Sequence, residues 1–146
     1  MRYLTIAAHP DDEVLGCGAT MARLASEGHE VHILILGEGA TSRVDNPDDV
    51  STEVVALRRQ ADEAGALLGA KSVTVESFPD NRFDQVALLD IVKVVESHID
   101  NLQPDVVFTH HGSDLNVDHR LTAQAVVTAT RPMAGTPVKE VLAFHI

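Results

Sequence analysis

Residues 3–36 read YLTIAAHPDDEVLGCGATMARLASEGHEVHILIL. This stretch begins and ends with short, continuous apolar runs, 3–8 and 31–36, of the kind found in strands that are covered on both faces. Between them, residues 14–27 have helical spacing and stop at Gly28, a residue favoured just beyond the end of a helix. A strand, a helix and a second strand in this order predict a right-handed βαβ unit with parallel strands.

The same alternation continues along the rest of the chain. Strand-like runs recur at residues 72–76, 105–109 and 140–144, and helical patterns at about residues 51–68, 85–102 and 119–131. The first of these helical patterns stops at Gly69, a second candidate helix terminator. Five strands alternating with four helices predict an α/β fold, a Rossmann-like, doubly wound, mostly parallel sheet in three layers. The sequence has no repeat and no linker composition, so residues 1–146 are predicted to form a single domain.

The composition excludes several classes of partner. Eleven Lys and Arg against 22 Asp and Glu give a formal net charge of −11, and a surface this acidic repels nucleic acid and anionic membranes. The apolar N-terminal run stops at His9, too short for a signal peptide or a bilayer-spanning helix. A single cysteine, Cys17, excludes an internal disulfide, and we predict a cytoplasmic protein. A homo-oligomer is left open.

The first candidate site is the turn after the first strand, His9-Pro10-Asp11-Asp12-Glu13. Ligands of open α/β sheets bind beyond the carboxyl ends of the strands, where this turn is predicted to lie. One carboxylate could bind a metal while its neighbour faces a metal-bound water, and Glu13 is expected at the helix start or in support of the ligands. The alternative is a Pro-Asp turn whose acids favour the helix N-terminus.

A second polar segment, residues 109–120, follows the fourth strand and contains Asp118 and His119. His119 is expected on the same sheet edge as His9, so two histidines and an aspartate would form a metal site with open positions. Asp118 could orient His119 or its neighbours. The alternative is that Asp118 caps the following helix.

A dinucleotide site is the less favoured interpretation of the same region. Gly16 and Gly18 resemble part of a nucleotide-binding fingerprint, with Glu38 at a suitable distance for a ribose hydroxyl. However, the carboxylates fill the turn where a pyrophosphate would bind, and Met21 replaces the last fingerprint glycine. We therefore predict that the glycines allow close packing of helix on sheet, and that Cys17 is a buried, inert thiol.

These motifs resemble the LmbE-like (PIG-L) family of metal-dependent N-deacetylases. The resemblance rests on residues 8–13 and 118–120, and it extends to residues 14–18, 37–43 and 78–82. It therefore covers most of the chain. Members of this family typically remove the acetyl group of an N-acetylated amino sugar, often N-acetylglucosamine, so the resemblance implies a small-molecule sugar substrate.

The resemblance also implies roles for individual residues. His9, Asp12 and His119 match the metal ligands, usually of zinc, although such a set also accepts iron. Asp11 matches the general base that activates the metal-bound water. Candidate substrate contacts in the same loops are Arg43, Asn81, Arg82 and His111.

The sequence departs from the family pattern in two respects. Asn116 stands where many relatives have a histidine that polarises or protonates the intermediate, so we predict that Asn116 donates to the oxyanion and that His110, His111 or Asp11 supplies the proton. The alternative is that Asn116 is a loop or capping residue. Relatives continue beyond the position of Ile146, and the chain is expected to lack the family's C-terminal portion. The alternative function is therefore a non-catalytic metal- and ligand-binding module of the same fold.

Overall fold

The structure, a computed structural model, describes the backbone of residues 1–40 and 47–146 and the side chains of residues 1–40 and 52–146. Strands and helices alternate as predicted. The strands are β1 (Arg2–Ala7), β2 (Glu30–Gly37), β3 (Ser72–Phe78), β4 (Val106–His110) and β5 (Glu140–Phe144). The helices are α1 (Asp12–Ser26), α2 (Pro47–Leu67), α3 (Leu88–Leu102) and α4 (Val117–Ala129), with a short 3-10 turn at Phe83–Gln85.

The five strands form one sheet in the order β3-β2-β1-β4-β5, and all pairs are parallel. β1 is central: Tyr3 pairs with Val31 of β2 on one side and with Val106 of β4 on the other. The predicted fold class, a doubly wound parallel sheet in three layers, is confirmed.

Alternate residues of the strands supply the two sides of the core. In β2, Leu34 and Leu36 face a cluster that includes Ile91 of α3 and Val126 of α4. Ile33 and Ile35 face the opposite cluster, with Met21 of α1 and Ala61 of α2. This period of two in a strand covered on both faces explains why the apolar runs are continuous. Within the described residues, no helix has both the length and the hydropathy needed to cross a bilayer.

The helix ends follow from local sequence. Gly28 and Gly69 have φ values of 85° and 77°, the left-handed conformation that a helix terminator requires, as predicted. α4 begins at Val117, two residues before the predicted start, because the side chain of Asn116 accepts the backbone N–H of Asp118. α1 begins at Asp12 and is interrupted at Cys17, which has φ −144°.

Gly16 allows α1 to pack closely on the sheet. A Cβ atom built at this position would lie 2.2 Å from Cδ2 of Phe144 in β5, whereas one at Gly18 would meet only ordinary contacts from 3.5 Å. Close packing is therefore confirmed for Gly16 and not for Gly18. Cys17 is buried as predicted, and burial raises the pKa of its thiol to about 11, so it is an unreactive thiol at neutral pH.

These two glycines form a matched pair of substitutions. Gly16→Ala is expected to destabilise the protein by about 1–3 kcal/mol, the usual cost of overpacking. Gly18→Ala adds a methyl group without a clash and should be neutral or stabilising, because alanine favours a helix over glycine by about 0.5–1 kcal/mol. Urea unfolding of both variants checks this, and an equal loss of stability in the two would contradict it.

Candidate metal centre

The candidate site lies at the carboxyl ends of β1 and β4, which are neighbours in the sheet. The chain leaves β1 for β2 on one side and later returns to β4 on the other, so the direction of winding reverses between them. The crevice at such a reversal is the usual ligand position in open α/β sheets. The turn after β1 carries residues 9–12, and His119 lies in the first turn of α4.

The turn between β1 and α1 holds an unusual backbone conformation. Asp11 has φ 109°, a value that few residues other than glycine adopt. Its backbone N–H donates to Oε2 of Glu13 at 3.1 Å. Glu13 is fully buried, and burial raises the pKa of its carboxyl to about 7. Glu13 therefore supports the turn that presents the side chain of Asp11, in line with the helix-start role predicted for it.

Three predicted ligand residues meet at Oδ2 of Asp12. This oxygen accepts the backbone N–H of His9 at 2.8 Å and lies 3.4 Å from His9 Nδ1. Nε2 of His119 lies 3.2 Å from the same oxygen. The ligand atoms of His9, Asp12 and His119 all fall within 4.8 Å of one another. The structure thus brings these three side chains together from opposite ends of the chain.

The other nitrogen of His9 faces two buried carboxylates. Nε2 lies 2.9 Å from Asp118 Oδ2 and 3.1 Å from Asp80 Oδ1. Both carboxylates also accept other donors, the backbone N–H of Phe83 on Asp118 at 3.0 Å and Nδ2 of Asn81 on Asp80 at 2.9 Å. His9 is therefore oriented through Nε2, which leaves Nδ1 for an ion, the usual arrangement of a carboxylate behind a metal-binding histidine.

A different carboxylate lies next to His119. Asp114 Oδ2 lies 3.1 Å from His119 Nδ1, and Asp114 also accepts the backbone N–H of Asn116. His110, Asp114 and His119 place further ligand-type atoms within 4.8 Å. However, the rings of His110 and His119 stack at 3.9 Å with 19° between their planes, so their in-plane lone pairs run nearly parallel and do not converge on one ion. We assign Asp114 to the orientation of His119.

The charged groups of the cluster shift the pKa values of His9 and Asp12 in opposite directions. Burial opposes the imidazolium of His9, but the carboxylates of Asp118, Asp12 and Asp80 outweigh it and raise the pKa of His9 to about 9. Burial also opposes ionisation of Asp12, yet the neighbouring imidazoles of His119 and His9 hold the pKa of Asp12 well below its usual range. An Asp12 carboxylate surrounded by imidazoles retains its negative charge for a cation, and protons on the histidines must leave when a metal binds.

A cavity of about 320 Å³ opens over these ligands. Its lining includes three further residues predicted from the sequence, Asp11, Asn81 and Asn116. Asn81 has φ 54° in the turn after β3, and its side-chain oxygen accepts Nδ2 of Asn116 at 3.3 Å. The remaining lining residues are Pro10, Leu15, Gly39, Leu57, Asp80 and Ile146.

Other predicted substrate contacts lie elsewhere. Arg82 is exposed and is not among the described residues that line the cavity. His111 lines a separate groove of about 1030 Å³ beside α4 and β5, where its ring stacks on His145 at 4.3 Å. Arg43 lies outside the described residues. The structure thus supports a substrate-facing position for Asn81 but not for Arg82 or His111.

Three residues lie close to the proposed ligands. The sequence alone predicts no role for Asp80 or Asp114, and it indicates His110 only as one of three candidate proton donors. Asp80 lies in residues 78–82, part of the family resemblance, and Asp114 lies in the polar segment 109–120, but nothing in their spacing connects them to His9 or His119. His110, considered as a proton donor, is fully buried, and burial lowers the pKa of its imidazole. It is absent from the described lining of the cavity and is therefore poorly placed to give a proton there.

One protein-family model matches most of the chain. The model of the family described as PIG-L, GlcNAc-PI de-N-acetylase, matches residues 4–130. The uncharacterized deacetylase YaiS of Escherichia coli is 33% identical over 133 residues, which cover 88% of this chain and 67% of that protein. The diacetylchitobiose deacetylase of Thermococcus kodakarensis is 30% identical over 82% of this chain and 45% of that protein.

A solved structure has the same arrangement of strands and helices. The N,N'-diacetylchitobiose deacetylase of Pyrococcus horikoshii, complexed with its inhibitor MPG, superposes with a TM-score of 0.79 at 25% identity, over 88% of this chain and 49% of that one. The chain thus spans about two thirds of YaiS and about half of the two diacetylchitobiose deacetylases.

Proposed function

This chain belongs to the PIG-L family of GlcNAc-PI de-N-acetylases, and from that premise we propose that it hydrolyses the acetamide of an N-acetylated amino sugar. The observation that carries the proposal is the convergence of His9 Nδ1 and His119 Nε2 on Asp12 Oδ2, at 3.4 and 3.2 Å. The carboxylate of Asp11 lines the same cavity.

The donor set fits a divalent metal ion. Two imidazole nitrogens and one carboxylate oxygen are typical ligands of catalytic zinc, and the same set also suits iron. Asp118 and Asp114, behind His9 and His119, would strengthen both ligands. We propose that His9, Asp12 and His119 hold zinc, which would polarise the amide carbonyl and acidify a water molecule.

Side chains of the protein provide proton transfer, stabilisation of the negative oxygen and support of the turn. Asp11 is exposed at the cavity and stands next to the ligand Asp12, so its carboxylate accepts a proton from the attacking water and returns it to the leaving amine. Asn116 presents an amide at the same cavity, where a donor stabilises the oxygen that becomes negative. Glu13 keeps the turn of Asp11 in place through the 3.1 Å hydrogen bond.

The cavity favours a small substrate. Its volume of about 320 Å³ is at the lower end of the roughly 300–1,000 Å³ of ligand sites, a size that suits one sugar ring and its acetamide. Asn81 and Asp80 line it with amide and carboxylate groups that hydrogen-bond hydroxyls. The carboxylates that line the cavity disfavour an anionic substrate.

A cytoplasmic location stays a prediction from the single cysteine.

The direct test is zinc content and acetate release by the full chain. N-acetylglucosamine, its β-methyl glycoside and diacetylchitobiose form a first panel, with N-acetylated amino acids as the control. We expect one zinc ion per chain and acetate release from the sugars. Bound zinc without any acetate release would favour the non-catalytic binding module, and an apoprotein that takes up no zinc would contradict the proposal altogether.

Zinc affinity is expected to rise with pH. The pKa of His9 is raised to about 9 in the metal-free protein, so a proton competes with zinc for this residue below that pH. One displaced proton corresponds to about tenfold in affinity per pH unit between pH 7 and 9, with a plateau above. Competition with a chromophoric chelator measures it. A flat affinity over this range would show that zinc displaces no proton from His9 above pH 7.

The role of Asn116 is separable from its role as a helix cap. Asn116→Ser keeps a capping oxygen but loses the amide donor, and Asn116→Ala loses both. We expect turnover to fall in both variants, by less than the roughly 10²–10³-fold of a dedicated oxyanion donor, because the amide already donates to Asn81. Only Asn116→Ala should lose about 1 kcal/mol of stability. Parental turnover in Asn116→Ser would limit Asn116 to capping.

A further inference from the structure

His110 is the last residue of β4 and lies beneath the three proposed ligands. It is 1% exposed, and its Nε2 lies 2.9 Å from the backbone nitrogen of Ala8. Ala8 directly precedes His9 in the turn after β1. The hydrogen bond therefore ties the end of β4 to the backbone that carries the first ligand.

This hydrogen bond determines the tautomer of His110. A backbone N–H only donates, so Nε2 must be the unprotonated nitrogen and the ring proton must lie on Nδ1. Nδ1 is buried and has no hydrogen-bond partner among the described residues. Nε2 also lies 3.3 Å from Asp12 Oδ2, where both atoms are acceptors. His110 is thus a neutral acceptor at the centre of the site.

The ring of His110 also fixes the plane of a second ligand. It stacks on His119 with 3.9 Å between centroids and 19° between planes, and Phe144 packs against it at 4.8 Å. One buried ring therefore contacts the backbone next to His9, the carboxylate of Asp12 and the imidazole of His119.

We propose that His110 is a positioning residue, a neutral Nδ1–H imidazole that sets the spacing of the three metal ligands by accepting the Ala8 N–H and stacking on His119. The proposal rests on the proposed function only in assigning the ion to His9, Asp12 and His119. Outer residues of this kind typically change metal affinity by about 10–100-fold when they are replaced.

Two substitutions of His110 separate the contribution of its aromatic ring from that of its hydrogen-bond acceptor. His110→Phe keeps an aromatic ring on His119 but leaves the Ala8 N–H without an acceptor, and His110→Gln places an amide oxygen near the position of Nε2. We expect His110→Phe to lower zinc affinity by about 10–100-fold and to accelerate hydrogen exchange of the Ala8 amide. His110→Gln should keep the exchange protection and recover most of the affinity. His98→Phe, at a partly buried histidine of α3 paired with Glu76, is the control and should change neither.

The parent protein provides the decisive measurement. Nitrogen-15 spectra of the histidine side chains, recorded on the metal-free and zinc-loaded chain, should show His110 as the Nδ1–H tautomer in both. An Nε2–H tautomer, or parental zinc affinity and Ala8 protection in His110→Phe, would overturn the proposal. If His110→Phe does not fold, the proposal is still tested by the tautomer of His110 in the parent and by the zinc affinity and Ala8 exchange of His110→Gln. Failure of the chain to release acetate would count against the proposed function and leave these readouts intact.

Discussion

Replacing Asp11 with asparagine is expected to lower turnover by about 10²–10⁴-fold, the usual contribution of a general base, while zinc binding stays at the parental level. The amide cannot accept the proton of the attacking water, yet it has the same shape as the carboxylate. Asparagine also tolerates positive φ, and the backbone N–H to Glu13 is unaffected, so the turn at φ 109° should be kept. The measurement pairs steady-state kinetics with zinc content.

Asp62→Asn is the matched control for this substitution. It makes the same chemical change on the exposed surface of α2, away from the cavity, and should alter neither turnover nor zinc binding. Parental turnover in Asp11→Asn would remove Asp11 as the base. Loss of zinc in Asp11→Asn would instead make it a ligand and contradict the division of roles between the two adjacent aspartates.

Replacing Asp12 with alanine is expected to abolish both zinc binding and turnover. The loss of affinity should exceed the roughly 10–100-fold typical of residues that act behind the ligands, because Asp12 Oδ2 is the atom on which His9 and His119 converge. The change also removes the acceptor of the His9 backbone N–H. Titration with a competing chelator gives the affinity, and acetate release gives the turnover.

Asp12→Asn refines this expectation. Its amide oxygen can still accept the His9 N–H, so the turn should be better preserved than in Asp12→Ala, but the negative charge for the cation is lost. Zinc affinity should remain far below that of the parent. Equal and small losses in Asp12→Asn and Asp11→Asn would show that neither carboxylate is a ligand.

The fold was largely predictable because its determinants are local. Continuous apolar runs such as 31–36 predict buried strands, and Gly28 and Gly69 mark helix ends that the structure confirms. The observed helix starts differ from the predicted ones where local contacts or turns form that the spacing of apolar residues does not show. Asn116 starts α4 early for this reason, and α3 starts at Leu88 because residues 83–85 form a separate turn.

The centre of the site was also predictable, since the carboxyl ends of parallel strands meet at one edge. The supporting residues were not. Asp80 and Asp114 reach His9 and His119 from two different loops, and no sequence spacing encodes such contacts. The neighbours His110 and His111 also diverge, one into the site and one onto His145, because successive residues at a strand end point to opposite faces.

The position of the ligands in the chain has a consequence for folding kinetics. His9 and Asp118, which are in hydrogen-bond contact, lie 109 residues apart, and they meet only after β4 has paired with β1. The candidate metal pocket is thus built from contacts of very high sequence separation, which form late because a long loop must first close. During refolding, acquisition of metal-binding competence should lag behind the return of helical circular dichroism, and an N-terminal fragment that ends before β4 should hold His9 and Asp12 without assembling the pocket.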